Sequence, residues 1–239
     1  MSEKSYCSAV VLAAGSGKRM NSDTKKQYMF IKEKPVIYYS LKAFQESFVD
    51  EIVLVVSGED ISYCEKEIVE KYGFTKVRKV VAGGKERYHS VAEGLRNVTP
   101  DGFVFIHDGA RPMLTAEILE RAYACVKTWD ACVVGMPVKD TIKIADKDKN
   151  IVNTPNRNLV WMVQTPQVFA YSLIRNAYEE LLSREQEFAT GEITITDDAM
   201  VVETLTGKQI KLVEGSYKNI KITTPEDILL AENLLNFSF

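Results

Sequence analysis

Short apolar runs rich in valine and isoleucine alternate along the chain with amphipathic stretches of helical period. The runs predict strands at residues 8–13, 51–57, 77–81, 103–107, 131–137, 210–213 and 220–222. The stretches predict helices at residues 36–45, 61–71, 88–96, 116–127, 171–183 and 225–235. Several runs are apolar throughout, which is typical of parallel strands covered on both faces. We therefore expect an α/β fold, a single Rossmann-like domain in which helices flank a mostly parallel, twisted sheet.

One segment, residues 138–158, breaks this alternation. Two short β-like pieces, TIKIA and NIVNT, flank a charged turn, DKDKN. This pattern predicts a β-hairpin rather than a crossover helix. Because an isolated two-stranded ribbon is only marginally stable, we expect this protruding arm to pack on another surface, most naturally a partner subunit. No linker composition interrupts the chain, so residues 1–239 are expected to form one domain carrying a dimerisation arm at about 138–158.

Composition excludes several classes of protein. The formal net charge of −3 argues against a broad nucleic-acid interface, which usually gives a basic domain. No apolar run approaches the roughly 20 residues of a membrane span, and the apolar run at 9–14 is too short for the core of a signal peptide. The four cysteines show no metal-ligand spacing and are expected to be buried, reduced thiols. A cytoplasmic location is the corresponding expectation.

The first predicted strand runs into the sequence LAAGSGKRM at residues 12–20, followed by NSDTKKQY. Small residues at Ala13, Ala14, Gly15 and Gly17 would let a nucleotide approach the backbone, whose amides can point at phosphate oxygens. Arg19 and Lys26 would add fixed positive charge where a triphosphate would lie.

Two common phosphate-binding motifs do not fit this loop. The dinucleotide fingerprint needs a glycine where Met20 stands, and a Walker A loop needs Ser or Thr where Arg19 stands. A Rossmann oxidoreductase is further disfavoured because Ser57 and Gly58 occupy the end of the second strand, where an acidic ribose ligand is expected.

The string LAAGSGKRM with KKQY resembles the sugar-phosphate nucleotidyltransferases, and further strings resemble their cytidylyltransferase branch acting on 2-C-methyl-D-erythritol 4-phosphate. These strings are GGKERYHSV (83–91), HDGARP (107–112), VKDTIK (138–143), QTPQ (164–167), TDDA (196–199) and NIKIT (219–223). They follow the family order over nearly the whole chain. Two departures are Lys25, where the family usually has proline, and Asn156 before Arg157, where it usually has aspartate.

The resemblance implies that an acceptor phosphate oxygen attacks the α-phosphorus of CTP in line and that pyrophosphate leaves. It assigns catalysis to Arg19 and Lys26. It assigns nucleotide binding to Ala13, Ala14, Gly15, Gly17, Gly83, Gly84, Lys85, Ser90, Asp108 and Ala110. It assigns binding of the sugar-alcohol phosphate to Arg111, Thr141, Arg157, Thr165 and Lys221. The family arm crosses to the neighbouring subunit, so a homodimer with shared sites is expected.

Magnesium is expected to arrive with the triphosphate, with Asp108 as the nearby carboxylate. His107 precedes Asp108 and is expected to point to the opposite face as a packed side chain. Arg87 is assigned a structural or phosphate-side role.

Two alternatives remain open. One is a ribitol 5-phosphate cytidylyltransferase, although Trp161 resembles the methylerythritol branch more closely. The other is a nucleotide-binding regulator without activity, disfavoured by intact Arg19, Lys26, Asp108 and Lys221.

Overall fold

The structure of this protein is a computed structural model that describes residues 4–15, 24–190 and 195–236. It contains a seven-stranded sheet. The sheet strands are β1 (Cys7–Ala13), β4 (Glu51–Val56), β5 (Val77–Ala82), β6 (Phe103–Asp108), β7 (Ala131–Pro137), β10 (Trp161–Ala170) and β11 (Lys211–Glu214). Outside the sheet, β2 (Phe30–Ile31) pairs with β3 (Lys34–Pro35), and β8 (Ile144–Ala145) pairs with β9 (Ile151–Asn153).

Helices lie between most of the strands. They are α1 (Val36–Gln45), α2 (Ile61–Tyr63) continued by a π-helix (Cys64–Glu70), α3 (Arg87–Asn97), α4 (Ala116–Trp129), α5 (Tyr171–Ser183), α6 (Glu185–Thr190), α7 (Asp198–Thr206) and α8 (Pro225–Asn236). Short 3₁₀ turns occupy Lys26–Tyr28, Gly58–Asp60 and Arg157–Leu159. None of the helices in the described ranges has the length and apolar character needed to cross a bilayer.

The strand order is β11-β7-β10-β6-β1-β4-β5, and it indicates where a ligand crevice forms on the sheet. Strand β1 pairs in parallel with both β4 and β6, and the chain moves from β1 to one side before returning to the other. The order of the strands therefore reverses between β1 and β6. In open α/β sheets a ligand crevice forms at such a point, beyond the carboxyl ends of the strands.

Side chains of β1 and β4 are buried on both faces of the sheet. On one face Val11 and Leu54 pack with α1 and α4 residues, and on the other Val10 and Val53 pack with α3 and α5 residues. This explains the unbroken apolar runs, because a parallel strand with helices on both sides has no solvent face. A smaller cluster around Ile222 joins α8 to α1.

The predicted α/β class and the hairpin are confirmed, while the strand predicted at 220–222 was wrong. Residues 220–222 do not form a strand; in this extended segment the Ile222 N–H donates to the Ala110 carbonyl, 2.8 Å away, in the loop after β6. Strand β10 was not predicted at all. It runs antiparallel to both β6 and β7, and its register with β7 shifts between Val163 and Gln167, around Pro166. Helices α6 and α7 were also missed.

Candidate active site

A cleft of about 410 Å³ opens beyond the carboxyl ends of β1 and β6. Its lining draws on the loop after β1, the 3₁₀ turn at 26–28, the start of α3, the end of β6 and the segment before α8. The described lining residues are Leu12, Ala13, Ala14, Gly15, Lys26, Gln27, Gly84, Lys85, Glu86, Arg87, Ser90, Asp108, Ala110 and Lys221. Four of these carry positive charge and two carry negative charge, so the cleft suits a polyanion although the whole chain is acidic.

The structure brings most of the predicted nucleotide-binding residues to this one cleft. Gly17 and Arg19 lie outside the described residues. Arg111 and Gly83 adjoin the cleft, while Thr141 and Arg157 lie on the arm, where both are exposed.

Gln27 attaches the turn that carries Lys26 to the loop after β1. Its side-chain amide donates to the carbonyls of Ala13 at 2.7 Å and of Gly15 at 3.3 Å, and the side chain is almost fully buried. Lys26 thereby lies on the same wall of the cleft as the glycine-rich loop. Sequence reasoning gave Gln27 no role, although it belongs to the KKQY string.

The second glycine-rich loop packs directly against the first. A Cβ atom at Gly83 would stand 2.6 Å from the Ser90 hydroxyl and 2.7 Å from the Ala14 Cβ, so no larger residue fits without a shift. The Gly83 N–H donates to the Val56 carbonyl at 2.7 Å, and the Gly84 N–H donates to the Ser90 hydroxyl at 3.2 Å. The two loops therefore form one narrow floor made of backbone, and Glu86 then caps the amino end of α3.

Asp108, the last residue of β6, is surrounded by cations. Lys221 donates to one carboxylate oxygen at 2.6 Å, and Arg87 donates to the other at 3.4 Å. Burial alone would raise the pKa of Asp108, but the charges of Arg87, Lys221 and Arg111 outweigh it and hold the pKa well below its usual range. Asp108 is therefore ionised at neutral pH, and it fixes two cations at the cleft.

Arg87 in turn is anchored from behind. Its two terminal nitrogens donate to the two oxygens of Asp198, both at 2.8 Å, and the Tyr178 hydroxyl donates to the same carboxylate at 2.5 Å. Asp198 is fully buried, so this bidentate pair locks the guanidinium orientation. The TDDA string contained Asp198, but nothing in the sequence pointed to its partner in α3 or to Tyr178 in α5.

Thr165 lies behind Asp108 rather than in the open cleft. Its hydroxyl accepts a hydrogen bond from the Asp108 N–H at 3.1 Å and lies 3.0 Å from Nδ1 of His107. His107 is fully buried, with Nε2 at 3.2 Å from the Arg111 carbonyl, as expected for a packed side chain. Burial lowers the pKa of His107 to about 4. Arg111 donates to the Asn219 carbonyl at 2.8 Å, while its buried Nε has no hydrogen-bond partner among the described residues.

The cysteines match the expectation of a structural role. Cys7, Cys64 and Cys132 are buried and Cys125 is half-buried, all as free thiols. Burial raises the pKa of Cys64 to about 11. Among the described residues, no three His, Cys, Asp or Glu side chains come together as a metal-ligand group.

A mostly parallel sheet, two packed glycine-rich loops and a cationic cleft at the strand ends fit an enzyme of the nucleotidyltransferase class. The family model for 2-C-methyl-D-erythritol 4-phosphate cytidylyltransferase matches residues 7–236. The chain belongs to this family.

Individual relatives agree over nearly the full length. The chain is 50% identical over 227 residues to the 2-C-methyl-D-erythritol 4-phosphate cytidylyltransferase of Lachnoclostridium phytofermentans, covering 95% of each protein. It is 52% identical over 224 residues to that of Lachnospira eligens, covering 93% of this chain and 96% of the relative. Among solved structures, 4-diphosphocytidyl-2C-methyl-D-erythritol synthase from Anaerococcus prevotii superposes with a TM-score of 0.83 at 35% identity, covering 97% of this chain and 96% of that one.

Proposed function

We propose that this enzyme transfers CMP from CTP to 2-C-methyl-D-erythritol 4-phosphate, forming the CDP-linked product and pyrophosphate for isoprenoid precursor synthesis. The observation that carries the proposal is the family match over residues 7–236, together with one cationic cleft lined by residues 12–15 and 84–87 of the glycine-rich strings. The chemistry joins two polyanions, so positioning and stabilisation of charge dominate over acid–base work.

In the proposed mechanism, a phosphate oxygen of the acceptor attacks the α-phosphorus of CTP in line, and the bond to pyrophosphate breaks. Lys26, with Arg19, would stabilise the negative charge that grows on the phosphoryl oxygens. The floor formed by Gly83, Gly84 and Ser90 would read the edge of cytosine at backbone distance. We expect this close approach to exclude the larger purine bases.

Magnesium fits this site as an ion that the nucleotide carries. Asp108 is one carboxylate at the cleft, it is ionised, and each of its oxygens already faces a cation. Mg²⁺ commonly keeps several waters and binds substrate phosphates with one or two carboxylates. Asp108 is the carboxylate that would approach such an ion, and it would have to release Arg87 or Lys221 to bind the ion directly. The ion would neutralise part of the triphosphate charge.

The acceptor phosphate would bind at Arg111 and Lys221 of one subunit and at Thr141 and Arg157 of the partner. Thr165 is buried behind Asp108 and would act only through its bond to the Asp108 backbone. The buried Nε of Arg111 has no hydrogen-bond partner among the described residues, which supports this, because a buried donor without a partner is costly unless a ligand satisfies it. The arm supports the homodimer, because it exposes apolar side chains on a marginal two-stranded ribbon. These are Ile144, Ile151 and Val152, from 48% to 66% exposed.

The test is release of pyrophosphate with Mg²⁺ present, measured for CTP, UTP, ATP and GTP. We expect release from CTP far above the other nucleotides and only with an acceptor. 2-C-Methyl-D-erythritol 4-phosphate and ribitol 5-phosphate are compared side by side as acceptors. Equal turnover of ATP and CTP would refute the base assignment, and preference for ribitol 5-phosphate would refute the acceptor.

A further inference from the structure

Lys25, next to the proposed catalytic Lys26, has its ammonium group turned toward the loop that follows β4. The nitrogen lies 2.6 Å from a carboxylate oxygen of Glu59, 2.7 Å from one of Asp60 and 3.1 Å from the Ser57 hydroxyl. A lysine ammonium has three N–H donors, and three acceptors surround this one. Lys25 is not among the described residues that line the cleft. Its donors are therefore committed to the protein.

The contacts of Lys25 with Ser57, Glu59 and Asp60, called the clamp below, are partly shielded from solvent. Side-chain exposure is 22% for Lys25 and 16% for Asp60, against 75% for Glu59. Burial alone would lower the pKa of Lys25, but the hydrogen bonds to Asp60 and Glu59 outweigh it and raise the pKa. The pair with Asp60 is thus the better shielded of the two.

Three consecutive attachments surround Lys26. Lys25 binds the loop at 57–60, Gln27 binds the carbonyls of Ala13 and Gly15, and the Tyr28 hydroxyl donates to Asp60 at 3.1 Å. Asp60 therefore receives bonds from both ends of the same short turn. The loop at 57–60 also reaches the phosphate loop, since the Ser57 hydroxyl donates to the Ala14 carbonyl at 3.4 Å.

We propose that Lys25 is a positioning residue, which uses its pairing with Asp60 and Glu59 to fix the backbone of Lys26 against the phosphate loop. The inference rests on the proposed catalytic role of Lys26. The backbone of Lys25 has φ −60° and ψ 137°, an extended conformation that nothing in a lysine enforces locally. The side-chain clamp supplies that restraint.

The experiment compares kcat and KM for CTP, at saturating acceptor, in the wild type, Lys25→Met, Lys25→Arg, Lys26→Ala and the double variant Lys25→Met/Lys26→Ala. Methionine keeps an unbranched stem, one atom shorter than lysine, and removes the ammonium. We expect Lys25→Met to lower kcat about 10-fold with KM nearly unchanged, because small misplacement of a catalytic group affects the transition state more than ground-state binding. Lys25→Arg should stay near wild type. Lys25→Met should cost little more in the Lys26→Ala background, since the clamp acts through Lys26.

Lys42→Ala is the matched control, because it removes an exposed lysine paired with Glu46 at 3.7 Å on α1, away from the cleft. It should leave kcat and KM unchanged, and thermal melting confirms that each variant is folded. Two results would overturn the proposal: an unchanged kcat in Lys25→Met, whether or not KM rises, or an equal loss in the Lys26→Ala background. Full activity of Lys26→Ala would instead refute the catalytic role of Lys26, so the two failures are distinguishable.

Discussion

His107 should make the stability of this enzyme depend on pH in a window set by its burial. The imidazole is fully buried between the Arg111 carbonyl and the Thr165 hydroxyl. A carbonyl only accepts, so Nε2 carries the proton and Nδ1 accepts from Thr165. A second proton would place a charge in the core and break the bond that Thr165 donates.

The magnitude follows from the pKa of His107, which burial lowers from 6.5 to about 4 in the folded protein. The unfolded chain binds this proton at higher pH than the folded chain. The contribution of neutral His107 to the free energy of unfolding is therefore fully present above pH 6.5. It declines as the pH falls and is lost by about pH 4. At about 1.4 kcal/mol per pKa unit, the whole loss is about 3 kcal/mol, of which about 2 kcal/mol falls between pH 7 and pH 5.

The assay is urea unfolding at pH 7, 6 and 5 for the wild type and for His107→Gln. Glutamine can still donate to the Arg111 carbonyl and accept from Thr165, but it does not titrate. We expect a lower free energy of unfolding for the variant at pH 7 and a shallower decline toward pH 5. An identical decline in both proteins would refute the reasoning.

Nuclear magnetic resonance gives an independent measurement of the same proton. The chain has two histidines, so His89→Gln leaves His107 as a single imidazole signal. A midpoint near 6.5 for that signal in the folded protein would also contradict the argument.

Three further predictions concern the proposed site. Lys26→Ala and Arg19→Ala should each lower kcat by about 10²-fold or more with an unchanged circular dichroism spectrum, because both side chains act on charge that grows in the transition state. A change confined to the KM for CTP would contradict this. Inactive Lys26→Ala and Arg157→Ala proteins should complement each other after subunit exchange, because one site of the heterodimer holds both defects and the other holds neither. The expected recovery is up to about half the wild-type activity per heterodimer. A mixture that stays inactive after verified exchange would place Arg157 outside the partner's site. Asp198→Asn should cost about 3 kcal/mol of stability, because it breaks a buried ion pair. By contrast Asp197→Asn, which keeps a helix-capping side chain, should cost less than about 1 kcal/mol, and chemical denaturation compares the two.

The cleft could be predicted from sequence where its residues follow a strand or a glycine-rich loop. The loop at 13–15 and Asp108 both terminate apolar runs, and parallel strands bring such ends together. What could not be predicted is how distant side chains fix one another. The pair of Arg87 with Asp198 joins residues 111 positions apart, and no local pattern specifies such a contact.

The segment around Lys221 also could not be predicted from its local sequence. The isoleucines on either side of Lys221 predict a strand, because short runs rich in isoleucine and valine are typical of one. The structure gives this segment a backbone bond to the loop after β6 instead, with Ile222 packed beneath α8. Lys221, between the two isoleucines, thereby reaches Asp108, so the segment holds a site residue in place and does not form a strand.

Strand β10 connects the cleft to the arm, and its sequence explains why it was missed. The strand carries buried Gln164, Thr165 and Gln167 around Pro166, and proline and buried polar residues both argue against a central strand. At its start Trp161 pairs with Pro137, the last residue before the arm, and four residues later Thr165 bonds the backbone of Asp108. The arm is thus an insertion between two neighbouring strands. Strand β10 is antiparallel, so βα alternation does not predict it. This strand fixes the position of the arm relative to the cleft.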